Sequence, residues 1–451
     1  MMRAIAPPTL LEDLIRQGRR QVSLHDRERA ARHLLDWFAC AAAAASLPAA
    51  RHFRAALQSG RPFEPLWLLA PSAEAQNAVL ADGALGSLLE MDDVHRSAVL
   101  HPGPVIIPAA LATALQTQAS LGSLLAAIVR GYEIAIRLGR ALGLGHYRYW
   151  HPSSTCGAFG AAMAAACVRG LDESRMAWAL ANAGTRTGGL WQMRHEAVPS
   201  KALHTAMAAH SGWLAAGLAE QGFSGPLALL EGDQGLFAAM APEADPAVLL
   251  APADRWLIHD VSFKPWPACR HAHPAMDALM ALDSHPEPDA IERVSVETYQ
   301  AALDFCDCPH PSSPGQARFS IQHALASILV HGRPRMCHYE PDALKCAPVR
   351  ALRERIHLAR GSRFDQAFPD HFGAAVELVT RSGEVIQAAV ADAWGDPEWP
   401  LSDADLGAKA TDLFEHAGFE AARSQRIIEQ TLALAGHSEQ PAMDSLRALW
   451  S

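Results

Sequence analysis

The sequence lacks a basic run. Its 451 residues carry 38 Lys and Arg against 48 Asp and Glu, for a net charge of -10. No stripe of positive charge is present of the kind that neutralises a phosphate backbone, so nucleic acid is not an expected partner. CxxC is also absent. The 8 cysteines are scattered, with Cys306 and Cys308 the only close pair, which leaves no zinc ribbon and no thioredoxin-like site. Dispersed cysteines point to free thiols in a reducing compartment. Long apolar runs are missing: the stretch from Phe38 to Leu47 is alanine-rich and too short to span a bilayer. The start, Met1 to Arg19 with Pro7-Pro8, does not read as a signal peptide. The expectation is a cytoplasmic protein without a membrane partner. No Walker-type loop, no GxGxxG after a predicted strand and no HExxH occurs, so neither an organic cofactor nor a metal is expected. There is no internal repeat and no low-complexity linker.

What is present is a large apolar chain with polar islands. Hydrophobic residues make up 50% and charged residues 19%, and the length suffices for a large core and two or three domains. The most concentrated island is Glu90-Met91-Asp92-Asp93-Val94-His95-Arg96-Ser97, followed by Leu100-His101-Pro102-Gly103. Apolar segments flank it on both sides. A polar cluster in such a setting must be hydrogen-bonded or it is costly. Burial also shifts carboxylate and imidazole pKa values toward those that suit proton transfer near neutrality.

Periodicity predicts a helix from Asp26, closed by Pro48, then helices over 76–90, 108–118 and 121–142, the last broken by Gly143 and Gly145. Tyr132, Glu133, Arg137 and Arg140 interrupt its apolar positions. Tyr147 to Gly157 is a polar and aromatic stretch holding His151, and its Ser153-Ser154-Thr155 run is expected to cap the small-residue helix that follows. A helix start of that kind suits a carboxylate. After a helix over 172–184, Ser200-Lys201-Ala202-Leu203-His204 opens another through 219, with Lys201 and His204 on one face.

From about residue 258 alternation replaces helical periodicity. Strands are predicted over 291–299, 355–359, 374–380 and 385–392, with a hairpin turn at Arg381-Ser382-Gly383-Glu384. Helices over 274–282 and 319–330 lie between. The entry segment carries Lys264, Arg270, His271 and His273, at a domain junction where ligand sites are common. After Trp394-Gly395-Asp396-Pro397 helices return. The expected fold is mainly α: a discontinuous helical domain of residues 1–260 and 394–451, with a smaller α+β lid domain, 261–393, inserted between its parts.

Taken in order, these motifs resemble the MmgE/PrpD family. The resemblance rests on Glu90-Met91-Asp92-Asp93-x-His95 with Leu100-His101-Pro102-Gly103, Gly131-Tyr132-Glu133 with Arg137-Leu138-Gly139, and His151-Pro152 with Thr155-Cys156-Gly157. It continues through Lys201-x-x-His204, Gly222-Phe223-x-Gly225-Pro226, Phe263-Lys264-Pro265-x-Pro267 with Cys269, His273-Pro274-Ala275-Met276-Asp277-Ala278, Gln316-Ala317-Arg318-Phe319-Ser320 and Gly395-Asp396-Pro397. It covers nearly the whole chain. The family includes 2-methylcitrate dehydratases, cis-aconitate decarboxylases and iminodisuccinate epimerases. The resemblance implies a helical domain with a lid, a homodimer, a small di- or tricarboxylate as partner and no cofactor. It carries over to Asp93, His101, His151, Lys201 and Lys264 as the polar lining of the cleft. His323 is a departure: many relatives have a tyrosine after the Phe-Ser of this helix, and here the run is Phe319-Ser320-Ile321-Gln322-His323.

The family reactions gain or lose a proton or a carboxylate at a carbon beside a carboxylate. Negative charge develops there and needs cations or hydrogen-bond donors, together with an acid or base of suitable pKa. Asp93, His101, His151 and Lys201 are the catalytic candidates, and His204, Lys264, Arg270, His271, His273 and His323 the substrate-binding ones. Lys201, Lys264 and Arg270 can neutralise carboxylates, and His101 and His151 can move the proton. Asp93 can orient a histidine or act as the base. A 2-methylcitrate dehydratase-like lyase is the first expectation, with an iminodisuccinate epimerase-like isomerase or a cis-aconitate decarboxylase-like lyase close behind. Two readings of another class compete: a metal-dependent hydrolase using Asp92, Asp93, His95 and His101, and a carboxylate-binding protein without catalysis.

Overall fold

A computed structural model describes residues 8–57, 74–196 and 198–450. The first seven residues, part of the chain start discussed above, lie outside it. The protein is mainly α-helical, with one four-stranded sheet. Among the described residues no helix is long and apolar enough to cross a membrane. The chain forms two compact units. The first takes the described residues of Met1–Leu88, Ser97–Val261 and Ala417–Ser451; the second is Leu89–Arg96 with Ser262–His416.

The first unit is a stack of helices around Gly157–Val168, whose alanines and Phe159 are buried all round. A helix apolar on every face belongs at the centre of a core. Small residues let its neighbours approach to backbone contact. A Cβ at Gly160 would lie 2.6 Å from the Gly131 carbonyl oxygen, and one at Gly131 2.7 Å from that of Gly160. The polar exceptions in the helix Leu121–Tyr147 are staples. The buried Glu133 carboxylate accepts hydrogen bonds from Arg137 Nε, Arg20 Nη2 and the Leu257 N–H, each at 2.8 Å. Arg137 Nη1 in turn donates to the carbonyls of Leu249 (3.1 Å) and Ala251 (2.8 Å). Such a buried pair is costly to break because one partner's charge is left uncompensated.

Several helix ends differ from the sequence reading, each for a local reason. The helix beginning at Leu24 is capped by Ser23, which exchanges hydrogen bonds with Asp26, and ends at Ala44. Pro48 does not close it but occupies the first position of the next helix, Pro48–Ala56, where a missing N–H costs nothing. The helix expected from residue 108 starts earlier, at Gly103, and Pro108 lies inside it. Gly143, at φ 68°, interrupts the helix Leu121–Tyr147 at the expected place.

The second unit holds the sheet, in order β2-β1-β3-β4. β1 (Ile291–Thr298) pairs in parallel with β2 (Ile356–Arg360) and antiparallel with β3 (Ala374–Thr380), and β3 pairs antiparallel with β4 (Val385–Val390) across the expected hairpin. Val294, Val296, Val376 and Leu378 face a core shared with Met276 and Leu279 of the helix His273–Met280 and Leu325 and Ile328 of Ile321–His331. The segment Leu89–Arg96 joins this unit through a two-bond antiparallel bridge: Val94 N donates to Ser262 O (3.0 Å) and Ser262 N to Val94 O (2.8 Å). The helix Asp403–His416 groups with the same unit, and Lys409 donates to Met91 O at 2.7 Å.

Candidate functional site

In the first unit the candidates are His101, His151, Lys201 and His204. His101 precedes Pro102 and the helix Gly103–Thr117, and its backbone N–H donates to Ser153 Oγ at 2.9 Å. Two residues upstream Val99 has φ 44°. A β-branched side chain in the left-handed region is strained, and such strain gathers at functional sites. The Ser153-Ser154-Thr155 run does not cap the helix Gly157–Val168, which starts without a side-chain cap. It forms its own short helix, Pro152–Thr155, and its hydroxyls tie down neighbours. Ser154 Oγ donates to His204 O (3.3 Å), and Thr155 Oγ1 lies 2.8 Å from His146 Nε2.

His151 is buried at the start of that short helix. Its N–H donates to Gly189 O at 2.8 Å, and Trp150 bridges Leu190. This bridge carries Trp191 to the His151 ring, with centroids 4.5 Å apart. On another side, His151 Nδ1 lies 3.3 Å from His204 Nδ1. His204 has its pKa lowered, first by burial and then by the charge of Lys201, which is one residue into the helix Ser200–Glu220. Lys201 adds its charge to a helix end that is already positive, an arrangement that favours an anion nearby. Trp191 and His146 were not singled out in the sequence, and Ser153 only as part of a capping run. Trp191 opens a short 3-10 helix, His146 lies in the last turn of Leu121–Tyr147 and Ser153 in Pro152–Thr155, and only tertiary contact selects them.

In the second unit Asp92, Asp93, His95 and Lys264 are all buried. Lys264 Nζ sits 3.4 Å from Asp92 Oδ1 and 3.9 Å from Glu90 Oε2. Glu90 has φ 56°, a second strained position in the polar stretch. The guanidinium of Arg270 is engaged inside the unit: it pairs with Asp396 and donates to Trp394 O (3.1 Å), Ala393 O (3.2 Å) and His273 Nδ1 (3.3 Å). His273 therefore carries its proton on Nε2, which donates to Ala268 O at 3.1 Å. Burial, then Arg270 and Lys264, hold its pKa well below the usual histidine range. His271 lies among aromatics, with Nδ1 2.8 Å from Tyr299 Oη and its ring stacked on Phe372. His323 Nε2 donates to His338 O at 2.9 Å, and burial pulls its pKa down to about 4. Arg270, His271, His273 and His323 thus have protein partners within the second unit.

Metal-ligand geometry favours other residues than the competing hydrolase reading needs. Among the described residues, the set of three or more His, Cys, Asp and Glu whose ligand atoms lie within 4.8 Å of one another is His371, Asp392 and Glu398. Asp92, Asp93 and His95 form no such set. The position between Asp392 and Glu398 is already served by a cation, since Arg96 donates to each at 2.7 Å.

Residues 19–249 match the model of the MmgE/PrpD N-terminal domain, and residues 266–434 that of the C-terminal domain. The chain belongs to the MmgE/PrpD family. Family members similar to it include the cis-aconitate decarboxylase-like protein oryM of Aspergillus oryzae, 26% identical over 438 residues, which are 90% of each chain. The cis-aconitate decarboxylase of Homo sapiens is 29% identical over 62% of this chain and 60% of its own length. The mitochondrial 2-methylcitrate dehydratase of Yarrowia lipolytica is 27% identical over 30% of this chain and 28% of its own.

Proposed function

We propose that this MmgE/PrpD protein is a lyase acting on a small di- or tricarboxylate, with proton transfer at a carbon beside a carboxylate. The observation that carries the reading is the family match across both domains, together with a relative named for cis-aconitate decarboxylation that aligns over 90% of each chain. The relative named for dehydration aligns over 30% of this chain, so decarboxylation of a cis-aconitate-like acid moves ahead of 2-methylcitrate dehydration. Either reaction leaves an electron pair beside a carboxylate. Lys201 and Lys264 supply cations for the carboxylates and for the charge that develops. His101 and His151 handle the proton, and Asp93 serves as orienting group or base. No cofactor and no metal enter this scheme.

A homodimer fits the same reading. The helix Ser200–Glu220 exposes Leu203, Met207, Leu214 and Leu218, a stripe at helical spacing of the kind that marks an interface.

The test is turnover on a panel of cis-aconitate, 2-methylcitrate and related acids in deuterated water. Deuterium is expected beside a carboxylate, in the product of a decarboxylation or washed back into the substrate of a dehydration. His101→Ala should lower kcat about 10²–10⁴-fold, the usual share of a proton-transfer group. Deuterium in neither product nor recovered substrate, or a His101→Ala rate within about twofold of the parent, would refute the acid–base role.

A further inference from the structure

Two histidines of the first unit meet through the same kind of ring nitrogen: Nδ1 of His151 and Nδ1 of His204 are 3.3 Å apart. A neutral imidazole has one N–H and one lone pair. Two Nδ1 atoms at hydrogen-bond distance fit only when one holds a proton and the other does not. The choice propagates across the ring. If His151 donates at Nδ1, its Nε2 is a base. If it accepts at Nδ1, its Nε2 bears the proton and is an acid. The state of His204 therefore decides what kind of proton-transfer group His151 presents.

The surroundings hold the pair in place. The His151 backbone is fixed by Gly189 O, and its ring is flanked by Trp191. The His204 backbone is fixed by Ser154 Oγ. Gly189, at φ 121°, lies so close that a Cβ there would stand 3.3 Å from His204 Cγ and 3.1 Å from Ser154 Cβ. Burial, then the adjacent Lys201 charge, lower the pKa of His204, which favours the neutral ring that can donate or accept rather than only donate.

We infer that His204 is a positioning residue for His151, fixing through the shared Nδ1 contact the tautomer in which His151 Nε2 acts, rather than a residue that contacts substrate. This rests on the proton-transfer role proposed for His151. The pairing of the two rings does not, so the two ideas can fail separately.

The experiment uses full-length protein labelled with 15N at its histidines. The His151 signals are identified by their loss in His151→Gln, and their Nδ1 and Nε2 shifts report the tautomer. In the parent a single tautomer is expected. In His204→Phe, which keeps a ring but no nitrogen, the two shifts should move toward each other as the tautomers mix. Turnover should fall at least about tenfold in kcat with little change in KM, as when a catalytic histidine loses the partner that sets its tautomer. His204→Asn, which retains a donor and an acceptor, should recover part of both. Unchanged His151 shifts in His204→Phe, or in His204→Asn should the first variant not fold, would overturn the inference. So would a raised KM with kcat intact, which would make His204 a substrate contact. If no acid is turned over at all, the proposed function fails while the shifts still decide the pairing.

Discussion

Replacing Lys264 by methionine tests whether the polar stretch is held together by the same cation that is assigned to substrate. Lys264 is fully buried, with Asp92 Oδ1 at 3.4 Å and Glu90 Oε2 at 3.9 Å. At an effective dielectric constant of about 20 the two attractions are about 5 and about 4 kcal/mol before desolvation is counted. Methionine preserves the apolar stem and removes the charge, which leaves two buried carboxylates without that counter-ion. Removing one partner of a buried ion pair costs about 3–5 kcal/mol, and Lys264→Met should lose about that much in urea unfolding. Adding Asp92→Asn removes one of the stranded charges. The double variant should then be more stable than Lys264→Met by about 1–3 kcal/mol, a coupling expected of residues in contact. Turnover should fall in both. If Lys264→Met unfolds within about 1 kcal/mol of the parent and Asp92→Asn only lowers stability further, the electrostatic clamp is refuted.

Asp277 gives a pH test. It accepts hydrogen bonds from Trp266 Nε1 and Trp394 N at 2.8 Å each, yet burial pushes its pKa up to about 6. A carboxyl whose folded pKa is raised contributes stability at low pH that is lost as pH climbs through the folded pKa. The stability of the parent relative to Asp277→Asn should therefore drop by about 3 kcal/mol between about pH 4 and about pH 7, and a pH-independent difference would refute this. Gly395, at φ 94°, places its hydrogen where a Cβ would be 2.0 Å from Phe263 O, and Phe263 N donates to Gly395 O at 3.1 Å. Gly395→Ala should cost about 3 kcal/mol or more from clash and left-handed strain, read as a lowered Tm; a change below about 1 kcal/mol would show that the two strands of backbone are not in contact. Light scattering should give about twice the 48.4 kDa chain mass, with Met207→Glu and Leu214→Glu together shifting the protein to monomer; a monomeric parent would remove the dimer reading.

Where periodicity or alternation was strong, the elements could be read from the sequence. β3 has the expected bounds, Ala374–Thr380, because Val376 and Leu378 alternate with half-buried neighbours on one sheet face. The helix Glu173–Gly184 begins after Asp172, whose side chain accepts from Arg175 N as an N-cap should. Hydroxyl-rich runs misled, since Ser153, Ser154 and Thr155 are the right residues for caps but bond to His101, His204 and His146 instead. A side chain's choice between a local and a distant partner is a tertiary decision that composition does not record. The same holds for Arg270 and Glu133. Arg270 reads as a substrate cation and Glu133 as one of several polar residues in an apolar helix, and only the fold shows that their partners are Asp396 and two backbone carbonyls for the one, and Arg20, Arg137 and an amide for the other. The polar stretch around Asp93 was legible as unusual, but its anchoring to Ser262 and Lys409 was not, because more than 160 residues separate them.

That separation has a consequence for how the chain is made. Leu89–Arg96 belongs to the second unit but leaves the ribosome long before Ser262. At about 5–20 residues per second the gap is on the order of ten to thirty seconds. Throughout that interval Asp92 has no Lys264, Val94 no Ser262 and Arg96 no Asp392. An apolar edge left unpaired so long invites aggregation, whereas this segment can wait in water because its charges are hydrated. The polarity that makes the stretch suited to chemistry in the finished protein also makes it safe to leave unpaired in the nascent one.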